Sequence, residues 1–391
     1  MNRWLLPEGV EEILSEQALA TESLRRQLLD LFESWGYDLV IPPAIEFTDS
    51  LLTGLGADLD LKTLKVIDQV SGKTMGFRAD ISPQVARIDA RTAAEGVNRL
   101  CYAGTVLSTQ PADALSSRAP MQIGAELFGV DTVSADIEII QLMLASLRIA
   151  TEKPLTLDLG HIGFCSWLQK ISEEQGLDAE HLSLLIQSKR LPELEQALAD
   201  SSIDSQVRER LIAIPRLLGG LEVLDQAQQL FDDVDEVMTA ISELRSVSKA
   251  LTELMPDIEL FFDLGEMRGS NYHTGVVFGA FAEHLGVAKR IANGGRYNDV
   301  GAAFGNGRAA TGFSADLKLL VQLMDAESEE RFSVYAPIST EPGFWEQVSE
   351  LRADGVRVIL GYEDDGANGR ALGCQQELLF DDGEWRLVTQ N

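Results

Sequence analysis

Two short glycine-bearing stretches, residues 267–278 (MRGSNYHTGVVF) and 293–299 (NGGRYND), constrain this chain more than any other feature. In the first, an arginine before a glycine leads through a tyrosine and a histidine to Thr274-Gly275 and an apolar run. That order reads as a polar loop feeding a strand, with Thr-Gly as the turn. Val276, Val277 and Phe278 suit a buried strand. The second stretch repeats the grammar with two glycines, an arginine, an aromatic residue and an Asn-Asp turn. Two such loops can aim Arg268, Tyr272, His273 and Arg296 into one cleft, a set suited to a small zwitterion. Arginine offers a bidentate fork for a carboxylate, while tyrosine and histidine donate or accept as the ligand requires. The same spacing equally allows Arg268 and Arg296 to cap carboxylates within the fold.

With 391 residues, the chain exceeds one average domain of about 100–200 residues. Its hydrophobic content of 45% is that of a globular protein with a large core. The formal net charge of −30 argues against nucleic acid as a partner, because an acidic surface repels phosphate backbones and no basic block interrupts it. Cys101, Cys165 and Cys374 lie far apart, with neither a CxxC pair nor a disulfide framework. They are expected to be buried apolar groups in a reducing cytoplasm. The acidic N-terminal region has no signal-type apolar core, and no window is long and apolar enough for a membrane span.

The strongest helical pattern lies at residues 12–35, where Leu14, Ala18, Thr21, Leu24, Leu28, Leu31, Phe32 and Trp35 form one stripe before Gly36. Residues 37–47 (YDLVIPPAIEF) read as an edge strand closed by Pro42-Pro43. A hairpin is expected from 65–67 and 74–78 around Ser71-Gly72, then a helix opening at Ser82-Pro83. Strands are expected at 100–107, 121–128 and 155–159, with a helix at 135–147. Residues 164–255 become rich in Leu, Gln, Glu and Ala, and read as an all-helical insertion broken at Pro192, Pro215 and Gly219-Gly220. The sheet pattern resumes at 258–263, and residues 311–324 move from a glycine into a helix. A charged linker, DAESEER (325–331), precedes a small α/β unit at 331–391 that ends in a hairpin turning at Asp382-Gly383. The fold class is therefore α+β, with a core over 1–325 that contains the insertion.

Metal chemistry is not expected, because His161, His181, His273 and His284 are scattered, with no HExxH and no cysteine cluster. Nucleophilic catalysis has no GxSxG elbow, and no cofactor is implied. Gly305-Asn306-Gly307 lacks the lysine and hydroxyl of a phosphate loop, and the acid-glycine run within 358–369 is most simply a solvated turn. Asp80 and Ser82 stand two apart on a strand exit and so face the same way. Gln122 and Glu126 stand four apart across a strand and also share a face. An ammonium group needs a carboxylate with one or two neutral acceptors, which Asp80, Ser82 and Gln122 can supply. An imidazole needs a carboxylate and a second polar group.

Taken together, these segments resemble the histidyl-tRNA synthetase catalytic core, a class II aminoacyl-tRNA synthetase fold with an antiparallel sheet flanked by helices. LFESWGYDLVIPP is similar to class II motif 1, which in that family builds the dimer interface. FRADISPQVAR, RLCYAGTVL and RAPMQIGAELFG are similar to the motif 2 region, and MRGSNYHTG with NGGRYND to the two histidine-specific signatures. The resemblance implies a pocket for L-histidine. In it, Asp80, Ser82 and Gln122 hold the ammonium, Glu126 with Tyr272 and His273 contacts the imidazole, and Arg268 lies near the carboxylate.

Departures from the synthetase pattern are equally informative. The ATP-binding arginine of motif 2 is replaced in Gly104-Thr105-Val106-Leu107-Ser108, and motif 3 reads Asp316-Leu317-Lys318-Leu319 without its arginine. A serine cannot neutralise developing phosphate charge as a fixed cation does. Loss of the nucleotide arginines with retention of the amino-acid residues resembles the ATP phosphoribosyltransferase regulatory subunit family. That resemblance implies a non-catalytic subunit, a homodimer within a hetero-octamer. Its implied partner is the short-form ATP phosphoribosyltransferase catalytic subunit, which it activates and makes sensitive to histidine as effector. A divergent synthetase that still activates an amino acid, and a freestanding amino-acid-binding protein, are the alternatives.

Overall fold

The computed structural model describes residues 5–53, 57–92, 96–111, 116–199, 203–267, 272–284, 286–298, 300–305, 307–324, 332–362 and 369–389. The chain divides into two compact units, Met1–Asp325 and Ala326–Asn391. Residues 325–331 and the acid-glycine run at 363–368 lie outside the described residues.

In the first unit, nine strands among the described residues form one sheet. Their order is Asp38–Leu39, Asn98–Thr105, Met121–Phe128, Ala310–Asp316, Val287–Arg296, Val276–His284, Thr156–His161, Glu259–Asp263 and Leu218–Gly219. Pairing is antiparallel from Asn98–Thr105 across to Thr156–His161, and parallel where Asp38–Leu39 and Glu259–Asp263 join. This is the α+β architecture expected from the sequence.

Alternation divides the Met121–Phe128 strand between two environments. Ile123, Ala125 and Leu127 enter the main core, where the Val133–Ala150 helix contributes Ile139, Ile140, Met143 and Leu147. Gln122, Gly124 and Glu126 face the other side. There the Ser82–Thr92 helix packs Val85 and Ala86 against Leu100, Tyr102 and Phe128. The stripe read at 12–35 forms the helix Ser15–Ser34, three residues shorter at its start and one at its end, and its Leu24, Leu28 and Phe32 are fully buried. Phe32 stands edge-on to Phe313 of the sheet with ring centres 6.0 Å apart.

Several elements differ from expectation. Residues 37–47 are not one strand: Asp38–Leu39 joins the large sheet, whereas Ile45–Phe47 joins a three-stranded sheet with Lys65–Ile67 and Thr74–Phe77. The break falls at Pro42-Pro43, where neither residue can donate to a ladder. Asn293 to Arg296, read as a loop, lie inside the Val287–Arg296 strand, and Ala310–Asp316 is a strand before the helix Leu317–Leu323. The insertion is not wholly helical. Between its helices, Leu218 and Gly219 pair with Asp263 and Phe262, covering the edge of Glu259–Asp263 that would otherwise stand unpaired. Its buried residues join the main core, in which Phe164 and Trp167 meet Phe231 edge-on at 5.7 and 5.0 Å.

The second unit is a four-stranded sheet in the order Arg357–Gly361, Ser333–Pro337, Gln376–Asp381, Glu384–Thr389. Phe344 and Val348 of the Phe344–Ala353 helix pack with Val334, Ala336, Val358 and Leu378. The final hairpin turns at Asp382 and Gly383, with φ of 50° and 82°, as a two-residue primed turn requires. Cys101, Cys165 and Cys374 are free and buried, and no helix among the described residues is long and apolar enough to cross a membrane.

Because Phe32 is fully buried against both sheet and helices, Phe32→Ala should destabilise the first unit by about 3–5 kcal/mol. The cost should be read as a lowered urea midpoint by circular dichroism, with the far-ultraviolet spectrum at zero denaturant unchanged.

Candidate amino-acid site

Glu126 is the centre of the site. It is 1% exposed, and each carboxyl oxygen accepts a tyrosine hydroxyl: Tyr102 Oη donates to Oε1 at 3.2 Å and Tyr297 Oη to Oε2 at 2.5 Å. Directly across the ladder lies Gly312, where a Cβ would fall 1.5 Å from Oε2. The glycine is thus required by the space the carboxyl group takes. Tyr102 continues the network, with its hydroxyl 3.0 Å from Ser82 Oγ. Asp80 Oδ1 accepts from the Ser82 backbone N–H at 3.2 Å and from Gln122 Nε2 at 2.8 Å, while Gln122 Oε1 accepts from the Ile81 N–H at 2.9 Å. Asp80, Ser82 and Gln122 are therefore one hydrogen-bonded group, joined to Glu126 through Tyr102.

Burial sets the electrostatics. It pushes Glu126 up to about 8 against the opposing hydroxyls of Ser82, Tyr297 and Tyr102, so much of the population holds a proton at neutral pH. Burial and the nearby Glu126 carboxylate hold the Tyr102, Tyr272 and Tyr297 hydroxyls well above the ordinary phenol range. All three remain donors.

The Tyr272 and His273 pair arrives from the neighbouring loop. Tyr272 stacks on Tyr297 at 5.1 Å and 25°, and His273 meets Tyr272 edge-on at 5.1 Å. The Tyr272 hydroxyl is buried without a hydrogen-bond partner among the described residues, yet Glu126 and Asp80 are near enough for their charges to act on it. Burial lowers His273 to about 4, so its ring is neutral. Nδ1 lies 3.3 Å from the Arg296 carbonyl and donates to it, leaving Nε2 as an acceptor. His273 also lines a cavity of about 190 Å³ with Asp158, Glu266, Arg290 and Asn293. In that cavity Arg290 pairs with Glu266 at 3.3 Å.

Arg268 lies outside the described residues. Of the two roles open to Arg296, the structure selects the internal one. Its guanidinium donates to Asp136 Oδ2 at 2.8 and 3.1 Å and to the carbonyls of Val130 and Thr132. It ties the sheet to the start of the Val133–Ala150 helix and does not enter the cleft. Tyr102, Tyr297 and Gly312 were not among the residues expected here. The available signals were a tyrosine paired across from Gly124 and an aromatic residue directly after Gly294-Gly295-Arg296.

Around the segments that resemble synthetase motifs 2 and 3, three cations are engaged within the fold. Arg78 donates to the carbonyls of Pro42 and Thr105, and Arg118 to those of Glu8 and Ser108. Lys318 pairs with Glu11 at 3.2 Å. Asp316 caps the Leu317–Leu323 helix, accepting from the N–H groups of Lys318 and Met121, each at 3.1 Å.

Residues 9–320 match the family model for histidyl-tRNA synthetase, and residues 331–388 match that for the ATP phosphoribosyltransferase subunit HisZ C-terminal domain. The chain is 47% identical to an ATP phosphoribosyltransferase regulatory subunit of Saccharophagus degradans, over 97% of this chain and 96% of that relative. A solved ATP phosphoribosyltransferase regulatory subunit/histidyl-tRNA synthetase from Bacillus halodurans superposes with a TM-score of 0.82 at 26% identity, covering 95% of this chain and 96% of that one. A chain of the ATP phosphoribosyl transferase (HisG:HisZ) complex from Thermotoga maritima superposes with a TM-score of 0.58 at 20% identity, covering 76% and 97%.

The raised Glu126 acidity gives a signed expectation. A carboxyl group whose folded value lies near 8 instead of its ordinary 4.5 favours the folded state most below 4.5, and that contribution is lost as pH rises through 8. Glu126→Gln, which cannot ionise, should flatten the fall in stability between about pH 5 and 8 by an amount on the order of 2–4 kcal/mol. Denaturant melts of parent and variant at the two pH values check it.

Proposed function

Because the chain belongs to the family of ATP phosphoribosyltransferase regulatory subunits, we propose that it binds free L-histidine around Glu126 and thereby controls a short-form catalytic partner. That partner joins ATP to phosphoribosyl pyrophosphate, the first step of histidine biosynthesis, and this chain raises its rate and makes it sensitive to the end product. The observation that carries the reading is the buried Tyr272 hydroxyl, unpartnered among the described residues. It stands beside Glu126 and a group, Asp80 with Ser82 and Gln122, whose chemistry suits an ammonium. A buried hydroxyl left unpaired costs about 1–3 kcal/mol, which a ligand acceptor recovers.

In this reading Asp80, Ser82 and Gln122 take the ammonium and Arg268 the carboxylate. Glu126, Tyr272 and the His273 Nε2 acceptor surround the imidazole, whose ring nitrogens supply one donor and one acceptor. The chain is non-catalytic in this reading, because Ser108 and Asp316-Leu317-Lys318-Leu319 stand where the resembled synthetase carries its nucleotide arginines. It acts in the cytoplasm, as a homodimer within a hetero-octamer. Histidine regulates by binding more tightly to a less active arrangement of that complex, since an effector shifts an equilibrium only through differential affinity.

The test mixes this chain with the short transferase subunit of the same organism, following phosphoribosyl-ATP formation against histidine while size-exclusion chromatography reports assembly. A larger complex, a higher rate and inhibition that requires this chain are expected. No association and no change in rate would sink the reading, and histidine-dependent ATP–pyrophosphate exchange by the isolated chain would replace it with a synthetase. Asp80→Ala should raise the histidine concentration needed for half-inhibition about 10- to 100-fold, the range for a lost charged hydrogen bond. Assembly should be unaffected.

A further inference from the structure

The segment that carries Tyr272 and His273 is tied to the helical insertion on both sides. At its start, Leu264 donates its N–H to the Leu217 carbonyl at 3.0 Å, and Asp263 Oδ1 accepts Lys189 Nζ at 2.6 Å. At its end, the Gly275 carbonyl accepts the Ile162 N–H at 3.0 Å, and the adjacent His161 Nε2 meets Glu243 of the Asp235–Leu254 helix at 2.9 Å. Leu217, Lys189 and Glu243 all belong to the insertion.

Lys189 is the unusual member of this set. It follows the Ala179–Gln187 helix and its cap Ser188, at the position where helices close through a left-handed residue. The closing bonds are present, with Arg190 N–H to Leu185 O at 2.9 Å and Lys189 N–H to Ile186 O at 3.1 Å. The residue has φ of +54°, a conformation that glycine or asparagine adopts more cheaply than lysine. A lysine there carries backbone strain that a turn alone would not call for. Its ammonium reaches Asp263 and lies 2.8 Å from where a Cβ on Gly265 would stand. The same Asp263 oxygen accepts the Gly265 N–H at 2.9 Å, and the next residue is Glu266, whose carboxylate holds Arg290 in the cavity lined by His273.

We infer that Lys189 is a positioning residue for the amino-acid site: through Asp263 it sets the entry to the Tyr272–His273 segment and makes the helical insertion part of that site. The inference rests on the histidine reading of the cleft. Lys189 touches no ligand in this arrangement and acts through Asp263, Gly265 and Glu266. Its strained backbone allows stability and binding to be separated. Lys189→Asn removes the ammonium and relaxes the turn, so the lost ion pair and the relieved strain oppose each other in stability while binding loses only the anchor.

Histidine binding is measured by calorimetry on the full chain for the parent, Lys189→Asn, Lys189→Arg, Asp263→Asn and the Asn/Asn double variant. Asp263→Asn keeps an oxygen for the Gly265 N–H and removes the charge. Backbone hydrogen exchange is followed at residues 264–267 and 272–275. Each asparagine variant should weaken histidine about fivefold, the double variant no further than either single, and the arginine variant should bind within about twofold of the parent. Exchange should quicken at the eight reporter amides and stay unchanged in the Val133–Ala150 helix, with the melting temperature within about 3 °C. Parent-like binding and exchange in Lys189→Asn would overturn the inference, as would single effects that add in the double variant. Should the parent itself fail to bind histidine, the proposed function falls. Exchange then decides alone: quickening at the reporter amides keeps Lys189 as the anchor, and parent-like exchange removes it.

Discussion

A carboxyl group shut away from water governs this site. Taking Glu126 out of solvent is unfavourable unless its oxygens are satisfied, and the surrounding structure follows from that need. Tyr102 and Tyr297 supply the two hydroxyls, Gly312 vacates the space across the ladder, and Tyr272 stacks on Tyr297. Each partner comes from a different part of the chain, so the carboxyl group also fixes the sheet register. A one-residue slip of Ala310–Asp316 would place Thr311 or Phe313 where Gly312 must be.

The two halves of the cleft differ in how completely their polar groups are used. Around the segments that resemble motifs 2 and 3, Arg78, Arg118 and Lys318 are bonded to carbonyls or a carboxylate, and Asp316 to backbone N–H groups. A phosphate arriving there would compete with these internal partners. On the amino-acid side, the buried Tyr272 hydroxyl has no hydrogen-bond partner among the described residues. Binding that completes hydrogen bonds is favourable, whereas binding that must first break them is not. On the proposed reading, this asymmetry fits the sensing of an amino acid without its activation.

Elements whose pattern is written in side chains were legible from the sequence. The stripe read from Leu14 to Trp35 formed a helix, shortened at both ends, and the alternation of Met121–Phe128 and the Asp382-Gly383 hairpin took their expected form. Strands built on glycine were not, because Gly294, Gly295 and Gly312 carry no side chain to alternate. Their pairing is dictated by what must fit over them. Spacing could place Gln122 beside Glu126 on one face, and Asp80 beside Ser82. It could not find Tyr102 and Tyr297, which reach Glu126 from 24 and 171 residues away and are selected by register. Arg296 shows the opposite limit: an arginine in a glycine-rich motif looks the same in sequence whether it serves a ligand or Asp136.

The helical insertion gains a structural role from an edge. The Glu259–Asp263 strand ends the parallel portion of the sheet, and Leu218–Gly219 covers it. The chain leaves that strand directly into the segment bearing Tyr272 and His273. An element that seals an edge is therefore placed, by chain connectivity alone, beside the segment that carries Tyr272 and His273. Backbone pairing supplies a rigid join and the Lys189–Asp263 ion pair a polar one. Pairing of this kind transmits displacement, because a strand edge cannot shift without breaking its hydrogen bonds. On the proposed reading, histidine can influence a distant partner only through elements that move with its pocket. The insertion is joined to that pocket at both ends of one loop.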